Sequence, residues 1–250
     1  MTTRDWDAHV YDRVSAPQLE WGREVLERLP LEGDEIVFDA GCGTGRVTAE
    51  LLERLPRGRV FAVDAAPSMA ERARASLDAR ATVLCQDLVE LELPELVDAA
   101  VSTATFHWIH DHDRLFSRLH AALRPGGRLV AQFGGRGNIA AFRDALDSVA
   151  TRAPYARYFD GWRAPWHYPS AEETAERLAR AGFDAVECWL EPRPTTPPEP
   201  REFLRTVCVA PHLERVPPER HDDFLRRVVE AAGDPLVLDY VRLNLIARRP

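Results

Sequence analysis

The chain has 250 residues, 45% hydrophobic and 29% charged, with a formal net charge of −8, which suits one sizeable core and rules out a disordered or fibrous chain. All 32 basic residues are arginine, so Schiff-base chemistry on lysine and a P-loop are excluded. The arginines form no stripe, so no nucleic-acid partner is expected. No apolar run approaches the ~20 residues of a membrane-spanning helix, and the opening Met1-Thr-Thr-Arg-Asp-Trp-Asp7 carries acids and no apolar stretch of a secretory signal. The expectation is a cytoplasmic protein with no membrane partner, acting as a monomer. Cys42, Cys85, Cys188 and Cys208 are scattered without a C-x-x-C pair, so neither a zinc site nor a disulfide framework is expected.

In chain order, residues 1–34 are expected to form a helical cap. Glu35–Ala40 then reads as a strand, followed by a glycine loop and a helix from Arg46 to Leu55 with Val47, Leu51 and Leu52 on one face. Arg59–Asp64 predicts the second strand, Pro67–Asp78 a helix opened by proline, and Ala81–Gln86 the third strand. Asp98–Thr103 predicts the fourth strand, Asp111 caps a helix running to Leu123, and Pro125-Gly126-Gly127 turns into the fifth strand, Arg128–Phe133. The segment from Gly134 to Tyr168 breaks the alternation and reads as an insertion. Ser170-Ala-Glu-Glu173 is a capping box for a helix to Arg180, Gly182 a left-handed stop, and Asp184–Leu190 the sixth strand. A proline-rich stretch, Pro192–Pro200, and a helical stretch, Pro218–Ala232, precede a last strand, Leu236–Ala247, expected to lie antiparallel to the sixth. The pattern is that of an α/β, Rossmann-like fold: a seven-stranded, mostly parallel sheet with helices on both faces and an antiparallel last strand.

Asp39-Ala-Gly-Cys-Gly-Thr-Gly45 joins a buried strand to a helix, where glycines allow a sharp turn and close approach of a ligand to the main chain. A dinucleotide fingerprint requires a small residue where this chain has Arg46, which disfavours NAD. Asp39 beside the glycines would repel a pyrophosphate and attract an ammonium, so the ligand should carry a cation. Asp64 ends the second strand, where an acid can accept from both hydroxyls of a ribose. Asp87 follows the third strand and could accept from an adenine amine, with Leu88 beside it and Met69 on the ring face.

These residues, with the Leu123-Arg-Pro-Gly-Gly-Arg-Leu129 turn, resemble the class I S-adenosylmethionine-dependent methyltransferases over residues 35 to 133. Trp6-Asp-Ala8, Tyr11, Phe106-His-Trp108 with Asp111-His112, and Ala247-Arg-Arg249 look like the trans-aconitate methyltransferase branch. The resemblance implies S-adenosylmethionine as cofactor. The loop Asp39, Gly41, Cys42, Gly43 and Gly45 would hold its methionine part, Asp64 with Ala65 the ribose, and Asp87 with Leu88 and Met69 the adenine. Thr103 would lie beside it, and Tyr11 and Gln18 would close over it. A single domain over residues 1–250 follows, with a cofactor-binding core at 35–133 and lid or substrate insertions at 134–169 and 191–235.

Methyl transfer from a sulfonium needs alignment and exclusion of water more than acid–base machinery, and a carboxylate acceptor, ionised at pH 7, needs no base. The aromatic insertion offers Trp162, Trp166 and Tyr168 as a substrate wall, with Arg152, Arg157 and Arg163 interleaved as candidate carboxylate clamps. Phe106, His107 and Trp108 follow the fourth strand at the cofactor's edge, which makes His107 the candidate catalytic group. It could act as base toward a phenol, hydroxyl or amine, or merely orient a substrate. His110 and His112 are expected in capping or solvent-exposed roles, and the spacing of these histidines does not suit a metal. The leading expectation is a carboxylate methyltransferase with a small-molecule acceptor. O- or N-methylation of an aromatic acceptor, and a non-catalytic cofactor-binding scaffold, stay open.

Overall fold

Apolar residues alternate sides along the strands, and this alternation builds two cores on one sheet. The computed structural model describes residue 6, residues 8–197 and residues 199–250, without the side chains of residues 9, 11 and 14. Its strands are β1 (Ile36–Ala40), β2 (Arg59–Asp64), β3 (Ala81–Cys85), β4 (Val97–Thr103), β5 (Leu123–Gly134), β6 (Asp184–Pro192) and β7 (Val241–Arg248). They form one seven-stranded sheet in the order β3-β2-β1-β4-β5-β7-β6. The first five are parallel, and β7 pairs antiparallel with both β5 and β6. The predicted fold class is thus the one observed, and β7 has two strand partners where the sequence suggested one.

The N-terminal helices are α1 (Ala8–Val14) and α2 (Ala16–Glu27), followed by α3 (Arg46–Glu53), α4 (Pro67–Ser76), α5 (His112–Ala122), α6 (Ala140–Ala150) and α7 (Ala171–Arg180). Val37, Val60, Ala62 and Val101 turn to one face and meet Val25 and Leu26 of α2 and Leu51 and Leu52 of α3. Their neighbours Phe38, Phe61, Val63 and Ala100 turn to the other and meet Leu115, Phe116 and Leu119 of α5 and Leu178 of α7. Helices on both faces therefore follow from period-two alternation in strands apolar on both sides. The capping box at Ser170 is formed in both directions, Glu173 N to Ser170 Oγ at 3.1 Å and Ser170 N to Glu173 Oε2 at 2.8 Å. Asp111 caps α5 by accepting the amide of Arg114 at 2.9 Å. The Pro125-Gly126-Gly127 turn is tied to the closing residues, Gly126 N donating to Arg249 O at 2.7 Å.

The two insertions pack on each other. Short helices α8 (Pro200–Phe203) and α9 (Ala210–Leu213), a π-helical turn at Leu204–Cys208 and α10 (His221–Ala232) share a separate apolar cluster with α6. Phe142, Leu146, Tyr155, Phe203, Leu204 and Phe224 are at its centre. The last strand begins at Val241, not at the expected Leu236: Leu236 and Leu238 are buried in this cluster, so their apolar spacing reports insertion packing. Among the described residues no helix is long and apolar enough to cross a membrane. Strand order reverses between β1 and β4, and the carboxyl ends of these strands open a crevice at that switch point.

Candidate functional site

The glycine turn at the end of β1 is held by main-chain bonds: Gly41 N and Cys42 N both donate to Val63 O, at 2.8 and 2.9 Å. Gly41 has φ +83° and Gly43 φ +56°, values L side chains rarely adopt. A Cβ on Gly41 would lie 2.2 Å from Thr105 Oγ1, whereas one on Gly43 would meet nothing within 4 Å. Gly41 lacks a side chain because the chain folds back on it, and Gly43 faces open space. Asp64, at the end of β2, accepts the amide of Gly43 at 2.9 Å through Oδ2 and that of Ala66 at 2.8 Å through Oδ1.

Asp39 lies beneath this loop rather than on its open side. It is 2% exposed and does not line the cavity; its Oδ2 accepts the hydroxyl of Thr48 at 2.6 Å. Burial, with repulsion from Asp64 added, pushes its carboxyl up to about 6. Cys42, also buried, and Gly45, packed on Leu77, are likewise behind the wall. The direct ligand contact expected of Asp39 is replaced by support of the loop through α3. Arg46 accounts for its own bulk. Its guanidinium reaches away from the sheet to Asp12 O at 2.9 Å and Ser15 Oγ at 3.1 Å.

A cavity of about 1100 Å³ opens above the loop. Of the residues singled out for the cofactor, Gln18, Gly41, Gly43, Asp64, Ala65, Met69, Asp87, Leu88 and Thr103 line it. Tyr11 lies outside the described residues as far as its side chain is concerned. Asp87 caps the turn Leu88–Glu90, accepting Val89 N at 3.1 Å, and stays exposed. After Thr103 the chain turns through Ala104, at φ +56°, anchored by its amide to Gln132 O at 2.7 Å.

Trp108, Trp162, Trp166 and Tyr168 line the other half. Trp166 stacks on Tyr168 with centroids 6.3 Å apart, and Trp108 lies 6.3 Å from Trp166. Phe106 is a correction to the sequence reading. It is fully buried against Phe116 and Phe133 and contributes nothing to the cavity, because its three-residue turn sends the first side chain into the core and the next two, His107 and Trp108, into the crevice. His112, expected in a capping or exposed role, is 1% exposed and bonds Phe106 O through Nε2 at 2.9 Å. His110 remains at the mouth. Among the described residues no three His, Cys, Asp or Glu side chains group as a metal site.

His107 lines the cavity, 8% exposed, and its Nδ1 accepts the amide of Gly134 at 3.4 Å. That bond leaves the proton of the neutral ring on Nε2. Burial, together with the charges of Arg242 and His112, holds the imidazole well below its ordinary range, so it is neutral at pH 7 and a weak base.

The sequence reading missed Arg242, Trp21, Asn138 and Tyr240, all in the wall. Arg242 is 1% exposed, with its guanidinium 4.4 Å from the ring centroid of Trp21. A signal existed: Arg242 and Asn244 are polar at alternate positions of a strand that is otherwise apolar up to its exposed last residue, Arg248, and both are buried. Arg152 and Arg157 are exposed and do not line the cavity, while Arg163 does. The lining carries charge of both signs. Asp64 and Asp87 follow β2 and β3 on one side of the switch point, Arg242 stands on β7 on the other against Trp21, and Asp111, Arg163, Glu214 and Arg215 complete the charged lining.

Residues 37–127 match the family described as a methyltransferase domain. The trans-aconitate 2-methyltransferase of Methylobacterium radiotolerans is 28% identical over 259 aligned residues, covering 98% of each chain. That of Paracidovorax citrulli is 31% identical over 198 residues, 68% of this chain and 76% of the relative. Among solved structures, phosphoethanolamine N-methyltransferase 2 of Haemonchus contortus, in complex with phosphomonomethylethanolamine and S-adenosylhomocysteine, shares the fold. Its TM-score is 0.65 at 20% identity, over 97% of this chain and 57% of that one.

Proposed function

The chain belongs to the class I S-adenosylmethionine-dependent methyltransferases, in the branch of the trans-aconitate 2-methyltransferases, and from that premise we propose that it methylates a carboxylate oxygen of a small anionic acceptor, trans-aconitate or a close analogue. The observation that carries this reading is the separation of charge along the sheet edge: Asp64 and Asp87 line the cavity from β2 and β3, and the buried Arg242 lines it from β7 against Trp21 and Tyr240. A cationic donor and an anionic acceptor are each drawn to the opposite half.

The lining fits S-adenosylmethionine. The chain offers no lysine for a pyrophosphate, and the space before Gly43 is one that a side chain would fill. Asp64, which accepts the amides of Gly43 and Ala66, is the acid at the strand end suited to the ribose hydroxyls. Asp87 and Leu88 flank the adenine edge, and Met69, 3% exposed, supports the ring face. Bound there, the cofactor supplies an electrophilic methyl carbon on a sulfonium, for which an ionised carboxylate is a sufficient nucleophile. Trp108, Trp162, Trp166 and Tyr168 act as a lid that keeps the chamber low in water, which favours joining opposite charges over their separate hydration. His107 serves as a neutral hydrogen-bonding group. Its depressed basicity disfavours deprotonation of a phenol or amine.

The test is turnover. Purified protein is incubated with S-adenosylmethionine and a panel of di- and tricarboxylates, phenols and amines, and products are read by mass spectrometry. A mass gain of one methyl on a carboxylate, lost on alkaline hydrolysis, is the expected result. Methylation confined to phenols or amines would overturn the carboxylate reading.

A further inference from the structure

We propose that Arg242 anchors a carboxylate of the acceptor other than the one that is methylated, so that the cavity selects acceptors bearing two or more acids. The proposal rests on the reading of this cavity as a carboxylate methyltransferase site.

Position is the first argument. Thr103 is opposite Gln132, Gln132 opposite Asn244, and Gly134 opposite Arg242. Strands about 4.8 Å apart with about 3.3 Å per residue put the Arg242 α-carbon on the order of 12 Å from that of Thr103. The arginine is thus two strands removed from the Thr103 edge, leaving room for an acceptor between them. Depth is the second. Arg163 and Arg215 are exposed at the mouth, but Arg242 is 1% exposed, where a weaker dielectric strengthens its pull on an anion. Its guanidinium lies 4.4 Å from the Trp21 centroid and 6.0 Å from that of Tyr240, and such a planar fork held against a ring is preorganised for two-point recognition of a carboxylate. Arg242 and His107 share this chamber, and the arginine's charge is felt at the imidazole. Chemistry is the third argument. A carboxylate gripped by both oxygens has its lone pairs engaged and is a poor nucleophile, so the acid held by Arg242 is a spectator and another acid must receive the methyl.

The test is calorimetry of trans-aconitate with protein saturated with S-adenosylhomocysteine, alongside steady-state kinetics on trans-aconitate and on the monoacid crotonate. Arg242→Gln should weaken tricarboxylate binding by roughly thirty-fold or more. The loss should appear in KM more than in kcat, and the preference for the triacid over the monoacid should fall at least about tenfold. Arg242→Lys, which keeps charge without the fork, should lie between, and Arg163→Gln should weaken binding less than Arg242→Gln. Unchanged triacid affinity in Arg242→Gln with intact S-adenosylhomocysteine binding overturns the assignment. If that variant does not fold, unchanged triacid affinity in Arg242→Lys does the same. Arg242-dependent binding of the triacid without turnover would support the anchor and overturn the carboxylate-transfer reading. No binding of the triacid by the unaltered protein would overturn both.

Discussion

Gly43 donates its amide to Asp64 Oδ2 at 2.9 Å, fastening the glycine turn after β1 to the last residue of β2. One carboxylate thereby shapes the loop and presents an acceptor to the cavity. Asp64→Ala should lower S-adenosylhomocysteine affinity about 10²-fold, since charge-assisted hydrogen bonds of ~1.5–3 kcal/mol each are lost. Asp64→Asn should lose less. Calorimetry on folded variants gives the answer, and an unchanged Kd for Asp64→Ala would remove the ribose role.

His107 is expected to be neutral at pH 7, because burial and Arg242 both oppose its protonation. With a carboxylate acceptor, His107→Gln should therefore cost less than about tenfold in kcat and leave the shape of the pH–rate profile unchanged, whereas a general base would be worth ~10²–10⁴. Removing the charge in Arg242→Gln should raise the imidazole pKa, visible by NMR titration. A thousandfold loss in His107→Gln, with an acid limb near pH 6–7 abolished, would restore the base.

Asp39 contributes in the opposite sense to most carboxylates. Its folded pKa is about 6, raised from 3.8 by burial, so between those values the folded protein keeps a proton that the unfolded chain has released. Stability from this group is complete below about pH 4 and lost as pH rises through 6. Asp39→Asn, which can still accept from Thr48, should gain on the unaltered protein across that window and hold an advantage of roughly 2–3 kcal/mol at pH 7. Urea titrations at pH 4.5 and 7.5 measure it, and equal differences at both would contradict the assignment.

Asp12 ties α1 to the glycine loop. Its side chain accepts the Thr44 hydroxyl and, at 3.3 Å, Arg72 Nε, while its carbonyl accepts from Arg46 at 2.9 Å. Asp12→Ala should release the helix locally, speeding amide exchange over residues 8–14 by about tenfold with little change in β1 or β4. Hydrogen exchange by mass spectrometry would show it. Uniform acceleration would mean global destabilisation instead.

Much of the glycine-loop side of the cavity was readable before folding. Gly41, Gly43, Asp64, Asp87 and Thr103 sit at the carboxyl ends of consecutive strands, and parallel strands of known order bring those ends to one edge. Side-chain direction was not readable there. The pattern of Asp39 suggested a ligand contact, yet Thr48 of the next helix turns it inward. Phe106 and His107 are neighbours in one short turn, and one enters the core while the other enters the cavity.

From residue order came the alternation that builds the sheet, the caps at Asp111 and Ser170, and the glycine turn that suits a nucleoside bearing a cation. These depend on main-chain geometry and on side chains a few positions apart, which leave a local periodic mark. The aromatic side of the cavity left no such mark. Trp21 of α2, Trp166 and Tyr168 of the first insertion and Arg242 of β7 meet because three distant segments pack on one another. Which arginine is buried among those rings was decided by that packing, as the exposed Arg152 and Arg157 of the aromatic insertion make plain.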